Sequence, residues 1–146
     1  MQAVGLTCFI WIVAGIGIVA SPTKRDSEAV TVHAEVELDI FSGRPNPKWI
    51  LTDAEAASFA STLQALPRIS GGQPPGNLGY RGFLVLMTQG TDSQLFRVHR
   101  GIVYRLHGNH DAEAQDANRQ LERWLLNGAK GHVENDLLLV VERDFR

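Results

Sequence analysis

The feature that most constrains the fold is a strict alternation between Val30 and Phe41. Val30, Val32, Ala34, Val36, Leu38 and Ile40 alternate with Thr31, His33, Glu35, Glu37 and Asp39. A period of two over this length means a strand with one buried face and one wet face. The chain is therefore committed to a sheet, and the following elements must be read as partners for it.

The segment Ser42–Lys48 (SGRPNPK) ends the strand, because its prolines cannot donate to a ladder and restrict the residues before them. Thr52-Asp53-Ala54-Glu55 reads as a capping box. The helix behind it presents Ala56, Phe59, Ala60, Leu63 and Leu66 at helical spacing, and Pro67 stops it. Residues 68–82, rich in glycine and proline, form a long loop. Phe83–Thr88 is a second strand, apolar on both faces, and Gly90–Ser93 is a turn. Residues 94–106 read as one long strand, bulged at Gly101. A hairpin at Arg100-Gly101 is the alternative, but it places Val98 and Arg105 on one face. A second helix from Asp111 to Asn127 buries Ala114, Ala117, Leu121, Trp124 and Leu125, with Gly128 placed to cap it. Leu137–Val141 (LLLVV) reads as the last strand.

The expected class is α+β in the order β-α-β-β-α-β, an antiparallel sheet with two helices on one face, the ferredoxin-like arrangement. If 94–107 is a hairpin, the sheet has five strands. The wet face of the first strand is acidic (Glu35, Glu37, Asp39). Strand 94–106 is basic (Arg97, Arg105, with His99 and His107), so the two are expected to be neighbours. Strands 83–88 and 137–141, apolar on both faces, call for a cover, and a homodimer through either would supply one.

Residues 1–20 carry an uncharged run from Ala3 to Ala20, closed by Ser21-Pro22 and the charged residues Lys24, Arg25 and Asp26. Such a run is a signal peptide ending at Ala20 or, if retained, a signal anchor. Its glycines and Thr7 favour cleavage, which makes the protein secreted or extracytoplasmic. Retention would make it single-pass and membrane-tethered. Residues 21–29 read as a flexible linker and 30–146 as a single domain. Cys8 is the sole cysteine and lies in the leader, so no disulfide is expected in the domain. With 14 basic and 16 acidic residues and no basic cluster, nothing points to nucleic acid.

Two loops carry candidate ligand-binding residues. In 42–49, Arg44 offers a planar fork, Asn46 an amide and Trp49 a stacking face, on a segment stiffened by proline. In 71–82, Tyr80 and Arg81 stand beside the His107-Gly-Asn-His110-Asp111 corner. His107, His110 and Asp111 are the right residue types for a transition metal, but the spacing matches no specific metal motif. No nucleophile elbow, phosphate loop or dinucleotide fingerprint occurs, so no catalytic residue and no cofactor are assigned. The sequence thus favours an exported, non-enzymatic binding or interaction protein for an unidentified small molecule or protein, presenting loops 42–49 and 71–82. The alternatives are a small metal-dependent or hydrolytic enzyme at the histidine corner, or a membrane-tethered accessory protein.

Overall fold

The computed structural model describes residues 31–72, 76, 78–106 and 112–146. The leader, the linker and the His107/His110/Asp111 corner lie outside these described residues. The element order is β1 (Val32–Leu38), β2 (Lys48–Ile50), α1 (Asp53–Ala65), β3 (Phe83–Gln89), β4 (Asp92–His99), β5 (Ile102–Arg105), β6 (Ala112–Gln115), a 3-10 turn (Ala117–Arg119), α2 (Gln120–Gly128) and α3 (Asn135–Arg143). The class is α+β, as expected. The six strands form one antiparallel sheet in the order β2-β1-β3-β4-β5-β6.

The alternating segment forms β1 with Ala34, Val36 and Leu38 buried. The capping box also forms: Thr52 Oγ1 accepts from the Glu55 amide, and Glu55 Oε2 accepts from the Thr52 amide at 2.8 Å. Helix α1 buries Ala56, Phe59 and Leu63, while Leu66 becomes its C-cap ahead of Pro67. Beyond α1, the element order departs from the expected one.

Residues 94–106 are a hairpin, not one strand. Arg100 and Gly101 both take positive φ (49° and 78°), which a two-residue turn of the primed type requires. The objection to that turn was that Arg105 would join the core face, and it does. Arg105 pairs across the ladder with Phe96, at the margin of the core, and its guanidinium lies 5.8 Å from the Phe96 ring.

The stretch expected to open the second helix is instead strand β6, followed by a short turn. Ala114 packs fully buried opposite Val103, and the Ile69 and Gln115 amides bond the Glu113 and Pro67 carbonyls. Backbone pairing on both sides of 113–115 overrides a helical pattern resting only on spacing. Helix α2 then starts at Gln120. Leu121 and Leu125 are buried as expected, whereas Ala117 is exposed and Trp124 remains 36% exposed.

The run LLLVV is helical, not extended. Leu138 and Val141 are buried, three residues apart, while Leu139 and Val140 point outward. A short continuous apolar run fits either element by composition, and its period in the folded chain is that of a helix. With this strand gone, and β2 and β6 added, the ferredoxin-like order does not emerge.

The expected contact between the acidic and basic strands is not direct. Leu84 of β3 stands between Glu37 and Arg97 in the sheet. Glu35 and Glu37 instead take Lys48 from β2, at 3.2 and 3.0 Å. Asp39 reaches past the end of β1 to meet Arg97 at 2.9 Å.

Buried residues of all three helices join one core with the inner face of the sheet. On the other face, Ile50 is 71% and Leu86 37% exposed. Among the described residues, no helix is long and apolar enough to cross a membrane.

Candidate functional site

The inner face of the sheet is built of cross-strand rows, and their chemistry changes along the strands. The first row is Leu38–Phe83–Val98–Val103–Ala114, the second Trp49–Val36–Val85–Phe96–Arg105. Next come Ala34–Met87–Gln94 and Val32–Gln89–Asp92. The first row is fully apolar, the second ends on a cation, and the last two carry amides and a carboxylate. Burying those polar groups without partners costs too much for a core. The face therefore stays open toward the β3–β4 turn, while α1 closes one side.

The result is a cleft of about 350 Å3. Val32, Ala60, Leu63, Met87 and Phe96 supply its apolar lining, and Gln64, Gln89 and Gln94 its amides. Arg68, Arg105 and Glu113 form one end, and Asp92 stands at the β3–β4 turn. The volume lies within the range typical of small-ligand sites, although the lining is more polar than is usual for them.

Glu113 is the hub of the charged end. Arg105 grips it with two bonds, Nε to Oε2 at 2.6 Å and Nη2 to Oε1 at 2.7 Å, and Arg68 Nη1 donates to Oε1. Burial alone would raise the Glu113 pKa. The Arg105 and Arg68 guanidiniums outweigh burial and hold it below the ordinary carboxylate value. Two cations share one partly buried carboxylate, so this end of the cleft retains a single positive charge. Both arginine side chains stay half exposed, at 56% and 45%.

The five residues picked out in the loops are placed differently. Asn46 fastens its loop to β1: its side-chain oxygen accepts from the Ile40 and Phe41 amides at 3.1 and 2.8 Å, and its NH2 donates to Glu37 at 2.8 Å. Arg81 donates through Nε to Asp39 at 3.0 Å and through Nη2 to the Phe41 carbonyl at 2.7 Å. Asn46 and Arg81 thus converge on Asp39, which Arg97 also grips. Trp49 is buried, edge-on to Phe83 and stacked on the His132 ring at 5.9 Å. Tyr80 is buried too, its hydroxyl donating to Glu122 Oε1 at 2.7 Å. Arg44 is exposed, its guanidinium 3.4 Å from the Phe41 ring centroid.

A second cluster of charge is built around one buried carboxylate and runs out to the surface at Arg100. Glu122 is wholly buried and accepts from Tyr80, from Arg119 Nε at 2.8 Å and from Arg119 Nη2 at 3.0 Å. Arg119 also donates to the Asp144 carbonyl and carboxylate, and Arg100 reaches the same carboxylate at 2.6 Å. Arg119 adopts a left-handed backbone (φ 56°) next to Asn118 (φ 59°), a conformation held by these bonds. This network ties the C-terminal end of the chain to the β4–β5 turn. Burial, and after it the charge of Glu122, raises the pKa of Tyr80 far above the ordinary range.

Among the described residues, no group of three or more His, Cys, Asp or Glu side chains is placed to hold a metal ion. The cleft residues were not singled out from the sequence, although the lone arginine on an otherwise apolar strand face, Arg105, was the signal pointing to it. No family model, curated protein or solved structure matches the chain.

Proposed function

We propose that the protein is an exported, non-enzymatic binding protein that takes a small ligand into the cleft between α1 and the inner face of the sheet. The observation that carries this reading is the row pattern of that face. Rows that could have been apolar and covered are polar and open, next to apolar lining from Val32, Met87 and Phe96. Asn46 and Arg81 belong to the frame, since they spend their hydrogen bonds on Asp39 and the end of β1. A binding role also suits the ionisable group at the cleft's charged end. A general acid or base works best with a pKa near the working pH, and Glu113 is held below even the ordinary carboxylate value. Export rests on the uncharged leader.

Thermal denaturation against a panel of amino acids, short peptides, sugars and nucleosides tests the proposal. A true ligand raises the melting temperature in proportion to its occupancy. Gln94→Trp places a large ring in the cleft from an exposed position on β4 and should abolish that rise while leaving the unliganded melt intact. A ligand whose stabilisation survives Gln94→Trp, or a panel that stabilises nothing, would count against the cleft.

A further inference from the structure

The two ends of the cleft carry opposite charge, and their separation specifies a ligand class. At one end Arg68 and Arg105 share Glu113, leaving one positive charge and half-exposed guanidiniums. At the other, Asp92 supplies one negative charge from an exposed position. Asp92 and Phe96 lie on the same strand face, and Arg105 stands opposite Phe96. Four residues of strand separate those positions, about 13 Å at the usual rise per residue. Three glutamines line the cleft, Gln94 in the row between the charged ends, Gln89 opposite Asp92 and Gln64 on α1, each able to donate and accept with its amide.

We propose that the cleft binds a short zwitterionic peptide of about three residues, its C-terminal carboxylate on Arg68 and Arg105 and its N-terminal ammonium on Asp92. The proposal rests on the cleft being the binding site and deepens that reading. Three extended residues span about 10 Å, which fits between the charged ends once their side chains reach inward. Glu113 takes Nε and Nη2 of Arg105 and Nη1 of Arg68, which leaves Arg105 Nη1 and Arg68 Nε and Nη2 to donate to a ligand carboxylate. The glutamine amides suit the peptide groups, and Val32, Leu63 and Met87 suit a modest apolar side chain. A simple anion would satisfy the arginines but would leave Asp92 without a partner. A simple cation would do the reverse.

Titration calorimetry at neutral pH and low salt decides it, with the tripeptide Ala-Leu-Ala as probe. The free peptide should bind, and both the C-terminal amide and the N-terminal acetyl form should bind at least tenfold more weakly. Asp92→Asn should weaken the free peptide about tenfold while leaving the acetylated peptide unchanged, since that peptide has no ammonium to lose. Equal binding of free and blocked peptides, or indifference to Asp92→Asn, would overturn the proposal. If the tripeptide fails while another compound stabilises the wild type and not Gln94→Trp, the zwitterion is wrong and the cleft stands. If no compound depends on residue 94, both readings fall together.

Discussion

His99 is 1% exposed, and neither ring nitrogen has a hydrogen-bond partner among the described residues. Tyr80 meets its ring edge-on at 5.5 Å. Burial lowers its pKa below 6.5. Glu122 and Asp144 pull the other way, while Arg100 and Arg119 add to the lowering. The folded state therefore prefers the neutral ring, and the unfolded chain takes up the proton first as pH falls. Stability should be full above about pH 6.5 and decline below it, toward the depressed folded value. Glu113 and Asp144, whose pKa values are lowered, add their own losses only below the ordinary carboxylate range. Urea denaturation at pH 7 and pH 5.5 should show this loss in the wild type and much less of it in His99→Phe. An unchanged loss in that variant would assign the titration elsewhere. Asp116 makes a second residue-scale test, because its buried carboxylate accepts from the Leu121 and Glu122 amides at 3.0 and 3.1 Å. Asp116→Ala leaves two buried donors at the start of α2 and should cost about 2 kcal/mol in the same assay, whereas a cost under about 0.5 kcal/mol would mean water replaces the cap.

At the scale of elements, the sequence revealed what rests on local chemistry and hid what rests on pairing. The alternation of β1, the Thr52–Glu55 box and the turn at Gly90 are local, and each forms where its residues stand. The β4–β5 turn was harder to read, since it uses Arg100 where Asn or Gly is usual at positive φ. Segment 112–115 has helical spacing, but Ala114 gains a core position opposite Val103 by extending. The run at 137–141 has no period in its composition, and only its packing shows that 138 and 141 point inward. The cleft was illegible for the same reason, because Gln89, Asp92, Gln94 and Arg105 share a face only once the register is known. Alanine substitutions along α3 test this assignment directly. Leu138→Ala and Val141→Ala should each cost roughly 2–3 kcal/mol, and Leu139→Ala and Val140→Ala less than about 1 kcal/mol. A strand would instead place 138 with 140 and 139 with 141, so comparable losses at 139 and 141 would refute the helix.

For the whole molecule, the core is assembled from Ala34 through Val141, which lie in the described part of the chain. A chain beginning at Ser21 should therefore melt cooperatively, with a single transition followed by circular dichroism. An aggregated or non-cooperative product would make the leader part of the fold and remove the support for export. The same architecture makes the central claim specific: ligand enters under α1, against the polar rows of the inner sheet face. Amide chemical-shift mapping of isotope-labelled protein, titrated with whichever panel compound stabilises it most, tests that claim most directly. The account predicts that the largest shifts fall on Val32, Leu63, Met87, Gln89 and Gln94. Shifts concentrated on Ile50, Leu86 and Leu95 of the opposite face, or on residues 42–46, would contradict it.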